Sequence, residues 1–97
     1  MSNESIEIRH LKKLARVSLP EDALSAIEEL GEYRCRRAIR ALASLMKLDD
    51  VRGEAAMEAL IGIGVDAEEE MLRCLESSDD DQAWRAQQVL SAINVAA

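Results

Sequence analysis

A chain of 97 residues that repeats itself has few architectures open to it. Sliding the sequence by thirty places sets AIRALASLMKLDDVRGEAAMEALIGIG (38–64) over EEEMLRCLESSDDDQAWRAQQVLSAIN (68–94). Leu42 then falls on Leu72, Leu45 on Leu75, and Asp49 and Asp50 on Asp79 and Asp80. Ala56 falls on Ala86, Leu60 on Leu90 and Ile63 on Ile93. Apolar matches at helical spacing mark helices. A period near thirty that holds two helices and an acidic turn reads as a stacked α-solenoid, each hairpin burying its apolar face on the next.

Composition agrees with that reading. Apolar residues make up 48% of the chain, yet it holds no Phe, one Tyr, one Trp and one Pro. A core of Leu, Ile, Val, Met and Ala suits close-packed helices, and so few turn residues leave no room for a many-stranded sheet. The prediction is all-α: six helices in three stacked antiparallel pairs, as one domain. Residues 1–34 form a degenerate first unit, 35–66 the second and 67–97 the third. Ser18-Leu19-Pro20-Glu21 reads as a capping box that starts a helix, and Gly31 as its stop. Gly62 and Gly64 end the GEAAMEALIGIG helix. Asp66 with Glu69, and Ser78 with Asp81, supply the side-chain oxygen and carboxylate that helix starts favour. Ala56, Ala59, Leu60 and Ile63 share one face, repeated by Ala86, Val89, Leu90 and Ile93. The alanine at its centre lets the paired helix of the same unit come close.

The stretch Asp50-Val51-Arg52-Gly53-Glu54-Ala55-Ala56-Met57-Glu58-Ala59-Leu60-Ile61-Gly62-Ile63-Gly64 resembles the second helix of HEAT-like repeats, particularly the short type named after phycobilisome lyases. That pattern places Val-Arg after an acidic turn, then Ala, Ala-Leu and a terminal Gly. The resemblance is good over 38–64, weaker over 67–95 and architectural over 1–34. In the last unit Asp81-Gln82 replace Val-Arg, so the turn-stabilising arginine is missing there. The resemblance implies stacked antiparallel pairs with a binding surface along the inner, concave side, and adaptor or scaffold roles rather than a reaction. A second stretch, HLKKLARVSLPEDALSAIEEL (10–30), is similar to the opening helices of the small C subunit of tRNA-dependent amidotransferases. The proline-free second half here departs from the extended belt of that subunit.

Charge narrows the function. Residues 1–48 carry nine Lys/Arg against seven Asp/Glu, whereas residues 49–97 carry three against twelve, for a net charge of −7. This argues against nucleic-acid binding and suits a basic protein partner. No apolar run is long enough to span a membrane. The first residues lack a basic leader with an apolar core, which predicts a cytoplasmic protein. Cys35 and Cys74, without CxxC spacing, read as two reduced thiols.

Opposite the predicted core lie Glu54, Met57, Glu58 and Ile61 and, one period on, Trp84, Gln87, Gln88 and Ser91. In a HEAT-like stack these line the inner side. Trp84 there either anchors an apolar, basic partner segment or covers the end of the stack. Arg34, Arg36, Arg37 and Arg40 read as a solvated face paired with Glu28, Glu29 and Glu32, or as one that meets the acidic half of another copy. The tail Val95-Ala96-Ala97 either seals the stack or recruits a second copy. Glu7 and His10 have Glu-x-x-His spacing but lack the further ligands of a metal site. SSDDDQ lacks the alternation and central Gly of a calcium loop. No catalytic constellation is present, and no cofactor or metal is expected. A protein-interaction module or adaptor is the leading reading; a self-associating subunit or an enzyme's accessory protein are the others.

Overall fold

Apolar spacing and short acidic turns divide the chain much as the repeat predicts. The computed structural model describes residues 3–17 and 20–96. Among these, helices follow one another without a strand: α1 (Asn3–Val17), α2 (Pro20–Tyr33), α3 (Arg36–Leu45), α4 (Val51–Ile63), α5 (Glu68–Cys74) and α6 (Asp80–Ala96). A single 3-10 turn, Gly64–Ala67, joins α4 to α5. Consecutive helices pack as antiparallel pairs, α1 with α2, α3 with α4 and α5 with α6. Across pairs, α1, α3 and α5 make one layer and α2, α4 and α6 the other. The shortest dimension, 22 Å, is that of two helix layers. The fold is an all-α stack of three helix pairs.

The core lies between the layers. Ile27, Leu30, Leu42, Leu45, Met46, Leu60, Met71 and Val89 are its largest fully buried side chains. Leucine, isoleucine and methionine interdigitate without an aromatic ring among them, and Ala38, Ala56, Ala67 and Ala86 let backbones approach where leucine would not fit.

Helix ends are where the layers are tied together. The last carbonyls of an α-helix have no partner within the helix. At the end of α1, Arg52 Nη1 donates to the carbonyl oxygens of Arg16 at 2.8 Å and Ala15 at 3.4 Å. The same guanidinium grips Asp50, Nε to Oδ1 at 3.1 Å and Nη2 to Oδ2 at 2.7 Å. Asp50 also caps α4 by accepting from the Arg52 backbone N–H at 2.9 Å. At the end of α3 the arrangement recurs with different residues. Gln82 Nε2 donates to the Ala43 carbonyl at 2.9 Å, and Arg85 Nη1 donates to those of Met46 at 2.7 Å and Leu48 at 2.6 Å. Both side chains are buried. The third unit therefore does have its arginine, contrary to expectation. Gln82 occupies the thirty-residue equivalent of Arg52, and Arg85 reaches the turn from one helical turn later.

Gly31 does not stop α2, which continues to Tyr33. The chain turns instead at Arg34, whose φ of 53° is left-handed. Gly31 serves packing: a Cβ there would stand 3.3 Å from Ala59 Cβ, so α2 and α4 approach closely at this point. This small-residue contact joins second helices of successive units. Gly62 lies within α4, and Gly64, with φ of 83°, ends it. Asp66 sits in the 3-10 turn, and α5 begins after Ala67 without a side-chain cap. Asp79, not Ser78, caps α6: its Oδ1 accepts from the Gln82 N–H at 2.8 Å, while Ser77 Oγ accepts from the Asp79 N–H. The capping box at Ser18 and the tail's side chains lie outside the described residues.

Gly53 is where the clamp needs an absent side chain. A Cβ there would overlap the Leu48 carbonyl oxygen and the Arg85 guanidinium. Gly53→Ala is expected to destabilise the protein by roughly 2–4 kcal/mol, since it displaces a buried, doubly bonded charge. Gly62→Ala meets open space and is expected to add about 0.5–1 kcal/mol through helix propensity. Urea unfolding of the two variants beside the wild type measures both.

Candidate functional site

The close approach of Gly31 to Ala59 leaves a trough on the outer side of the second-helix layer. Between α2 and α4 runs a groove of about 450 Å³. Its apolar lining comes from Leu24 and Ile27 on α2 and Ala55, Ala59 and Gly62 on α4. Small residues on α4 keep it open. Glu28, Glu32 and Glu58 rim it, with Arg34 at one end donating to the Gly62 carbonyl at 3.3 Å. Among the described residues none of these three glutamates enters an ion pair, because the ion pairs lie elsewhere: Arg40–Glu70, Arg52–Asp50 and Arg73–Glu70. The arginine-rich stretch accordingly does not pair with Glu28, Glu29 and Glu32 as its sequence spacing implied.

The residues singled out on the second helices divide into groups. Glu54, Glu58, Trp84, Gln87 and Ser91 are exposed; Met57, Ile61 and Gln88 are half-buried. Met57 and Ile61 pack against the core, on the side of α4 turned away from Ala55 and Ala59. Trp84 is 58% exposed, on the first turns of α6. Of these residues Glu58 lines the groove with α2. Sequence reasoning missed Leu24, Ala55, Ala59 and Gly62 as groove residues. Their signal was present: Ala55, Ala59 and Gly62 recur at i, i+4 and i+7, a small-residue stripe beside the core face.

A larger cleft, about 630 Å³, opens between α1 and α2, lined by Glu7, His10, Leu11, Glu29, Glu32 and Tyr33. The Tyr33 hydroxyl donates to Glu7 Oε2. This bond to a carboxylate, with burial and the charges of Glu7 and Glu29, pushes the phenol up to about 12. Asp50 is held below the usual carboxylate range by its bonds from Arg52. Burial raises the Cys74 thiol to about 11, a thiol poorly suited to nucleophilic work at neutral pH. Both cysteines are free. Among the described residues no group of three or more His, Cys, Asp or Glu is placed to hold a metal ion, and no helix is long and apolar enough to cross a membrane.

Comparison with protein-family models, with curated proteins and with solved structures gives no match for this chain. The site therefore has to be read from its own chemistry. It offers an apolar trough with uncompensated carboxylates on both banks, suited to a cationic, partly apolar segment.

Tyr33 is the chain's one tyrosine, so its ionisation can be followed by absorbance without interference. The expected midpoint is near 12, and Glu7→Gln should bring it down toward the ordinary value of 10. The sign follows from the raised folded-state value: stabilisation by this contact is complete below pH about 10 and is lost as pH rises through about 12.

Proposed function

We propose that the chain is a HEAT-like protein-interaction module whose second-helix layer holds a basic amphipathic segment of a partner protein. The observation that carries this reading is the α2–α4 groove, apolar along its floor and lined by Glu28, Glu32 and Glu58. A helical segment with leucines on one face and lysines beside them would bury the apolar strip while its cations meet the glutamates. The neighbouring surface of α4 and α6, with Glu54, Met57, Ile61, Trp84, Gln87 and Gln88, extends the same layer. Trp84 in particular offers an aromatic anchor to a partner long enough to reach it.

The test uses a labelled synthetic helical peptide of that Leu/Lys pattern, with binding read by fluorescence anisotropy. Glu28→Lys with Glu58→Lys is expected to weaken binding by about tenfold or more, in keeping with the loss of close charge pairs. Trp84→Ala is expected to leave stability within about 0.5 kcal/mol, because the ring is largely solvated, and to weaken capture of longer peptides. Binding unchanged by the Glu28 and Glu58 reversals would remove the groove as the site.

A further inference from the structure

The two helix layers carry opposite charge. Helix α2 holds Glu21, Asp22, Glu28, Glu29 and Glu32 and no cation. Helix α3 holds Arg36, Arg37 and Arg40 and no carboxylate, and α1 adds Arg9, Lys12, Lys13 and Arg16 against Glu4 and Glu7. Between α1 and α3 lies a second groove, of about 260 Å³. Its floor includes Ile8 and Ala41, and its banks carry Arg9, Lys12, Arg37 and Arg40. Among the described residues Arg9, Lys12 and Arg37 enter no ion pair. The chain thus has an acidic, partly apolar trough on one layer, with Arg34 at its end, and a basic groove on the other, and apart from Arg40, which meets Glu70, their charges enter no ion pair among the described residues.

The cations that the acidic trough would recognise are what the opposite layer of the same chain presents, at Arg9, Lys12 and Arg37. We infer that this protein associates with a second copy of itself head to tail, the α1–α3 face of one copy seated on the α2–α4 face of the next. This rests on the proposed function in that it uses the same groove, and it names the occupant. The two faces differ, so the contact is heterologous, and because they lie on opposite layers a bound pair leaves one of each face free for further copies. The net charge of −7 opposes association at long range, but salt screens it beyond about 8 Å at physiological ionic strength, whereas apposed unpaired charges act at contact distance.

The experiment compares the full chain with two double variants by sedimentation velocity over a concentration series. One variant is Arg9→Glu with Arg37→Glu; the other is Glu28→Lys with Glu58→Lys. All four positions are exposed, and circular dichroism confirms folding before use; Lys12→Glu with Arg37→Glu replaces the first pair if its helix content falls. The wild type is expected to self-associate, with at least a tenfold loss of association constant on raising salt about tenfold. Each variant alone is expected to be monomeric. Mixed, the two should form a 1:1 dimer, because the first keeps an acidic trough and the second a basic one.

A wild type that stays monomeric, or variants that fail to complement each other in the mixture, overturns the inference. The peptide measurement separates the two readings: a wild type that binds the Leu/Lys peptide yet remains monomeric sinks self-association alone. Loss of both sinks the groove as a docking site altogether.

Discussion

A guanidinium buried against the end of a helix is the constraint on which the stack depends. Arg85 lies on the inward side of α6, and its donors go to the carbonyls that close α3. Those carbonyls face the interior of a two-layer assembly, where unpartnered acceptors cost about 1–3 kcal/mol each. A positive group at a helix C-terminus also complements the negative end of the helix dipole. Arg52 does the same for the end of α1, half-exposed and anchored through Asp50. In both cases a second helix of one unit closes the first helix of the unit before it. The bond therefore fixes which residue of one unit sits against which residue of its neighbour.

That registration has consequences on the outer surface. Once Arg52 fixes α4 relative to α1, Gly31 and Ala59 come to their close approach, and the small side chains beyond them leave the trough between α2 and α4. Packing needs and surface chemistry are joined there. Residues kept small so that two helices can touch also create an apolar recess whose glutamates enter no ion pair among the described residues. On the opposite layer α1 and α3 gather the cations, so the fold converts a charge difference along the chain into a charge difference across the molecule.

Helix content and pairing were legible in the sequence because the thirty-residue echo matches apolar positions at helical spacing, and Leu42, Leu45, Leu60 and Ile63 are buried, but the echo misplaces the inward face of α5, where Met71 and Cys74 are buried and the matched Leu72 and Leu75 are exposed. Turn chemistry was legible only as acidic turns ahead of α4 and α6; the capping side chains are Asp50 and Asp79 rather than the Asp66 and Ser78 that were read from local sequence. Nor was it legible where the partner lies about forty residues away. Nothing near Arg85 in sequence shows that it meets Met46 and Leu48, although its place beside Ala86 and Val89 on the wheel puts it at the core edge. Gly31 looked like a stop because a glycine that ends a helix and one that lets two helices touch are the same letter. Arg34 adopts the left-handed turn that glycine was expected to supply, held by its bond to the Gly62 carbonyl, a tertiary contact with no sequence signature. The groove escaped notice for a related reason. It is built from the sides of two helices in different units, and a wheel drawn on one helix shows its face but not its neighbour.

The dependence of the stack on Arg85 is measured most directly by the urea unfolding free energy of Arg85→Met and Arg85→Lys beside the wild type. Methionine fills much of the space but donates no hydrogen bond, and an ammonium cannot reproduce the guanidinium fork. Arg85→Met is expected to lose about 2–4 kcal/mol, with lysine recovering less than half of it. An Arg85→Met protein within about 0.5 kcal/mol of the wild type would mean that the end of α3 needs no donor from the next unit. The stack would then be held by apolar packing alone.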